Sequence, residues 1–188
     1  MEHKGGWNRN QLHTHAQFNK FETSLLWNRP FAVVDLKFIY TFSLMGQYSL
    51  ETLYGSEKIA IGDFNTVRGF KGSSIVGDRG FYLRNDLSLA DLTFIWSGLK
   101  GFRIFTGFDY GYARERAGKY ANYGQGESSV IGCCAGLSYA TAALSANVTY
   151  ARQLFSPWFI SEKEQVIYFS CTLQLTGIYK EIFAKKNE

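Results

Sequence analysis

The chain has 188 residues and a formal charge of only +4, and it combines 19 glycines and 2 prolines with a 17% aromatic content dominated by Tyr and Phe. No run approaches the ~18 consecutive apolar residues of a spanning helix, which excludes a helical membrane protein, and there is no basic block beyond Lys185-Lys186 to suggest nucleic acid. Mean hydropathy is −0.16, and this leaves a transmembrane β-barrel open, because strands that alternate apolar and polar residues average to a soluble-looking value.

The first stretch, "MEHKGGWNRNQLHTHAQ", shows no apolar core followed by a small-residue cleavage site, so no signal peptide is visible and residues 1–17 are expected to be disordered or the partial start of a strand. "KFETSLLWNRPF" then alternates: Phe21, Thr23, Leu25 and Trp27 fall on one face, and Lys20, Glu22, Ser24 and Asn28 on the other. A turn is expected at Asn28-Arg29-Pro30. After it, "VVDLKFIYTFSLMGQYS" sets Val34, Leu36, Phe38, Tyr40, Phe42 and Leu44 against Asp35, Lys37, Thr41, Ser43 and Gln47. The same period of two runs through "EKIAIGDF", "GFYLRNDLSLADL", "GFRIFTGFDYGYA", "SSVIGCCAGLSYATAA", "LSANVTYARQL" and "VIYFSCTLQL".

These stretches amount to about eight strands, mostly near the ten residues that a tilted strand needs to cross a bilayer. Their polar faces are crowded, with Arg84, Asp86 and Ser88 in one strand and Arg103, Gly107, Asp109 and Gly111 in another. A soluble sandwich and a membrane barrel both fit that pattern. Aromatic residues near strand ends, among them Trp27, Phe31, Tyr48, Tyr54, Trp96, Tyr110, Tyr112 and Trp158, resemble interfacial girdles and favour the membrane. "RERAGKYANYGQGESS" reads as a long polar loop, and "TGIYKEIFAKKNE" as a tail that has lost alternation.

No constellation for chemistry emerges. His13 and His15 have no carboxylate or cysteine at ligand spacing, and all three histidines lie within the first fifteen residues, far from any Ser and Asp of a hydrolase. "GQGESS" lacks the lysine of a phosphate loop. Cys133 and Cys134 point to opposite faces of any strand and, with Cys171, form no metal spacing. The expectation is no enzyme, no cofactor and no metal.

Between two alternating stretches lies "FNTVRGFKGSSIVGDRGFYLRND", residues 64–86, with Gly69, Gly72, Gly77 and Gly80 among six charges. It is too long for a hairpin turn. Together with its flanks it carries Gly46-Gln47-Tyr48-Ser49, Ser56-Glu57-Lys58, Val67-Arg68-Gly69-Phe70, Gly77-Asp78-Arg79-Gly80 and Leu83-Arg84-Asn85-Asp86-Leu87. In order and spacing these resemble the outer-membrane transporters of two-partner secretion, the hemolysin secretion/activation family of ShlB, FhaC and HecB type. Phe108-Asp109-Tyr110-Gly111 is similar to the family's Asp-containing strand motif, and "NVTYARQLFSP" to its final hairpin.

The resemblance implies an all-β fold, an antiparallel transmembrane β-barrel in which about eight strands are visible, like the last eight of a sixteen-stranded barrel. Residues 18–175 would be the C-terminal part of that barrel, including a lumen-inserted loop at 65–80, and 176–188 a C-terminal tail; the whole reads as a fragment of the transporter. It further implies that Val67, Arg68, Gly69 and Phe70 form a loop-locking motif, with Asp109 and Gly111 as its lumen partner. A buried guanidinium needs a counter-ion, and Gly107 and Gly111 flank Asp109 and leave room for a bulky visitor. Arg84, Asp86 and Arg103 would extend the charge network of the lumen, which Asp35 and Lys37 would also line. The implied partners are a secreted exoprotein, of hemolysin, adhesin or contact-dependent toxin kind, and outer-membrane lipid; the implied location is the outer membrane. Two other readings stay open: a free-standing eight-stranded barrel that binds lipid or acts as an anchor, and a related insertase of membrane proteins.

Overall fold

The computed structural model describes residues 18–116, 126–160 and 165–174. The expected start at 1–17, the tail at 176–188, His13 and His15, and the middle of the polar loop lie outside them. Among the described residues there are nine strands: β1 (Lys20–Val33), β2 (Leu36–Ser49), β3 (Ile59–Ile61), β4 (Ile75–Gly77), β5 (Arg79–Leu89), β6 (Phe102–Arg114), β7 (Glu127–Ala140), β8 (Leu144–Phe155) and β9 (Gln165–Leu173). Seven of them form one sheet in the order β1-β2-β5-β6-β7-β8-β9, every neighbour antiparallel, and β3 pairs with β4 apart from it.

Two expectations change. "EKIAIGDF" does contain a strand, but it is three residues long and belongs to a hairpin within the connection from β2 to β5, not to the main sheet. The turn expected at Asn28-Arg29-Pro30 is absent: β1 runs through Pro30 to Val33, and the chain reverses at Val34-Asp35. Among the described residues β1 is the edge of the sheet, where one side of the backbone has no partner needing the missing N–H. Asp35 therefore sits in a turn, and Lys37 pairs at 3.5 Å with Asp91 in the β5–β6 connection.

The ladder registers sort the side chains into two faces. Phe21, Leu25, Trp27 and Phe31 of β1, Phe81 and Leu87 of β5, Ile104 and Phe108 of β6, Leu137 of β7, Val148, Tyr150 and Leu154 of β8, and Ile167, Phe169 and Leu173 of β9 all share one face and are all exposed. In water such a face would be a liability; in a bilayer it is the lipid surface. Aromatic pairs bound it at both ends, Phe31 on Phe38 (5.4 Å) and Phe102 on Tyr139 (4.6 Å) near the short turns, Phe81 beside Tyr110 and Tyr112 (5.9 and 6.0 Å) near the long loops.

The opposite face carries Gln47, Arg84, Asp86, Arg103, Asp109, Thr149 and Tyr168, and onto it the 50–78 connection folds. Ile59, Ile61, Val67, Phe70 and Ile75 of that connection form an apolar cluster with Ala113, Val130 and Ile160, and Met45 and Tyr82 pack against it. The sheet thus has its core where the loop sits. With seven antiparallel strands, β1 and β9 run in the same direction, so an antiparallel ladder closes only through an odd number of further strands.

A single arginine should separate the two faces. Phe108→Arg, at mid-strand on the exposed apolar face, is expected to lower unfolding free energy in lipid vesicles by about 2–4 kcal/mol; Ser138→Arg on the loop face should change it by well under half as much. Equal losses in urea titrations would contradict the assignment of faces.

Candidate functional site: a loop clasped to the sheet

The tip of the connection is shaped locally. Asp63 Oδ1 accepts hydrogen bonds from the backbone N–H groups of Asn65 and Thr66 (both 2.8 Å) and from the Thr66 hydroxyl (2.9 Å), and Thr66 Oγ1 accepts from the Gly62 and Asp63 N–H groups (2.9 and 3.1 Å). Such side-chain turns fix a loop without a sheet. They hand the chain to Val67-Arg68-Gly69-Phe70, of which Val67, Arg68 and Phe70 are nearly inaccessible.

Arg68 reaches across to β6. Its Nε donates to Asp109 Oδ2 (2.7 Å), its Nη2 to Asp109 Oδ1 (2.6 Å), and its own backbone N–H to Oδ2 as well (3.0 Å). Nη2 also donates to Asp86 Oδ1 at 2.6 Å. Arg68 is 2% and Asp109 0% exposed, so the fork is desolvated and bidentate, the geometry that fixes direction as well as charge. Burial works against the Arg68 charge, while the hydrogen bonds and charge of Asp109, then the charge of Asp86, outweigh it and hold the guanidinium above its ordinary pKa.

The wall makes room with missing side chains. A Cβ on Gly107 would meet Asp86 Oδ1 and Arg68 Nη2, one on Gly111 would meet Ile61 Cγ2 and come within 3.0 Å of Val67 Cγ2, and one on Gly132 would strike the Arg68 carbonyl oxygen. On the loop side Gly69 has φ 103° and lies where a Cβ would be 2.5 Å from the Arg152 carbonyl carbon. Only glycine combines that backbone angle with that approach.

Of the residues singled out in the sequence, Val67, Arg68, Gly69, Phe70, Asp86, Asp109 and Gly111 converge here. Arg84 lies alongside: its Nη1 donates to the Phe64 and Asn65 carbonyls (3.1 and 3.0 Å), and its Nε is 4.0 Å from Asp109 Oδ1. Arg103 lines the same polar cavity of about 220 Å³ with Arg68, Arg84 and Asp86, but makes no ion pair with either carboxylate.

Three residues join the site that the sequence reading gave no role. Gly132 leaves the space that the Arg68 carbonyl fills. Tyr168, on β9, accepts from the Gly69 N–H (3.4 Å), donates to the Phe70 carbonyl (3.2 Å) and packs its ring on Phe64 at 4.9 Å. Asp78, fully buried at the foot of the loop, accepts from the Leu53 and Arg116 N–H groups (both 2.8 Å) and lies 3.9 Å from Lys58, which pairs with Glu115 at 2.5 Å. The loop is therefore tied at its base and pinned at its tip to both β6 and β9.

Steric fit and hydrogen bonding can be tested separately. Gly132→Ala leaves every charge in place yet should dislodge the tip, raising hydrogen exchange of amides 62–72 by at least about tenfold; Tyr168→Phe, which removes two hydrogen bonds, should raise it by roughly five- to tenfold. Unchanged protection in Gly132→Ala would refute the close approach.

A family model described as haemolysin secretion/activation protein ShlB/FhaC/HecB matches residues 3–139. The outer membrane transporter CdiB of Escherichia coli O6:K15:H31 (strain 536 / UPEC) is 30% identical over 154 residues, 81% of this chain and 24% of the relative. The hemolysin transporter protein HpmB of Proteus mirabilis is 39% identical over 72 residues, 38% of this chain and 13% of the relative. A solved structure, CdiB from Escherichia coli, superposes with a TM-score of 0.70 at 26% identity, covering 89% of this chain and 30% of that one. The chain thus spans a quarter or less of the length of these two curated relatives and 30% of the solved CdiB chain, so the likeness is to one part of a longer transporter. Family match, antiparallel sheet and lipid-compatible face agree: the chain belongs to the haemolysin secretion/activation family ShlB/FhaC/HecB, and its place is the outer membrane.

Proposed function

We propose that the chain forms the C-terminal wall of a pore that moves a secreted exoprotein across the outer membrane, and that the 50–78 connection is its displaceable plug. The observation that carries the reading is the buried Arg68–Asp109–Asp86 contact, which holds a long loop against the polar face of a membrane sheet. A loop needed only for stability would be held better by apolar packing, because a buried ion pair gives little net stabilisation over hydrophobic residues of the same volume. What a charged fork supplies is one defined seat. It also separates into groups that water can solvate.

Outer-membrane barrels have short turns on the periplasmic side and longer loops outside. The two-residue reversal at Val34-Asp35 and the three-residue one at 141–143 share one end of the sheet with the 90–101 connection and then face the periplasm; the much longer 50–78 connection is at the other end, so the plug folds inward from outside. The sixteen-strand barrel of the family resemblance leaves nine strands beyond the seven seen, an odd number, as antiparallel closure requires. In this reading the chain performs no covalent chemistry: the partner is an exoprotein passing as an extended polypeptide, with outer-membrane lipid around the wall.

A chimera tests this. Residues 18–174 replace the corresponding segment of the Escherichia coli CdiB, and export of the exoprotein that CdiB serves is measured in culture supernatant. The expected result is export at a level comparable to the parent, falling roughly tenfold or more when Asp109→Asn and Arg68→Gln are combined. A chimera that assembles in the outer membrane and exports nothing would contradict the proposal.

A further inference from the structure

Arg84 stands directly opposite Asp109 in the β5–β6 ladder. Its guanidinium has two attachments of different kind. Nη1 holds the loop through the Phe64 and Asn65 carbonyls, and Nε waits 4.0 Å from the carboxylate that Arg68 occupies. The polar cavity of about 220 Å³ that both arginines line gives the side chain room to turn.

Suppose the tip withdraws. Asp109, buried while the tip is seated, would be left on the wall without its main counter-ion, in a lumen walled by protein where a charge-assisted pair is worth more than in open water. The charged groups that face it are Arg68 from the loop and Arg84 and Asp86 from β5, with the Cys134 thiol nearby on β7; Arg103 lies six residues along β6. Among the described residues, Arg84 is the cation that remains on the wall within reach. The carbonyls that hold it leave with the loop, so the same motion that empties Asp109 frees Arg84 to fill it.

We propose that Arg84 is a positioning residue that exchanges partners, holding Phe64 and Asn65 while the loop is docked and pairing with Asp109 when Arg68 withdraws. The exchange lowers the free energy of the loop-released state and so sets how readily the plug leaves. It deepens the reading of the loop as a displaceable plug and rests on it.

The test is the rate of tryptic cleavage after Arg68, a bond out of reach while that residue is buried. It is read by mass spectrometry on the full chain in outer-membrane vesicles, with Lys71→Gln present throughout to remove the neighbouring cut. Exchange predicts that Arg84→Gln slows this cleavage roughly tenfold, because the released state loses the pairing of Asp109 with Arg84. Arg84→Lys, which keeps the charge and guards against misfolding of the neutral variant, should stay within about threefold of the parent. In an Asp109→Asn background the sign should reverse, Arg84→Gln speeding cleavage because only its hold on the loop is left to lose. Faster or unchanged cleavage of Arg84→Gln in the chain that keeps Asp109, or slowing that persists in Asp109→Asn, overturns the exchange while leaving the plug reading intact. No cleavage after Arg68 in any variant, Asp109→Asn included, overturns the displaceable loop itself and the exchange with it.

Discussion

A guanidinium and a carboxylate, both shut away from water on the inner face of a membrane sheet, set the terms for everything around them. Arg68 is in place only because Asp63 and Thr66 shape the turn before it, Gly69 itself passes against the backbone of β8, and Gly107, Gly111 and Gly132 clear a slot in the wall. Each of these would be hard to justify for an ordinary loop. Removing any one leaves a charge buried without a partner or a partner without access.

The sheet inverts the arrangement of a soluble domain. Its apolar face is exposed along all seven strands, and its polar face is covered by a loop that brings its own apolar residues, Ile59, Ile61, Val67, Phe70 and Ile75. That small cluster supplies nonspecific adhesion, the ion pair supplies register, and Tyr168 ties the tip to a strand three ladders away from Asp109. Division of labour of this kind suits the displaceable plug proposed for this loop. Hydrophobic contact alone would not choose the position, and charge alone would not hold it.

Much of this was legible from residue alternation. The period of two placed Asp109, Arg84 and Asp86 on one face and Phe108 and Leu87 on the other, because pleat geometry leaves no third option. It could not say which sheet a strand joins: Ile59 and Ile61 alternate as a wall strand does, yet three residues pair only with β4. Nor did it warn that Pro30 lies within a strand, since proline is forbidden only where its missing N–H has a partner to lose. Gly132 and Tyr168 were invisible because their roles arise from chain segments 64 and 100 residues away from Arg68; a glycine inside a strand was the one available sign of a close approach.

The central claim is that Arg68 and Asp109 act as one unit in seating the loop. A double-mutant cycle on hydrogen-exchange protection of amides 62–72, comparing Arg68→Gln, Asp109→Asn and the double variant, measures that directly. The account predicts strong coupling, with the double variant losing about as much protection as either single one. Losses that simply add would show that the two side chains hold the loop independently, and would contradict it.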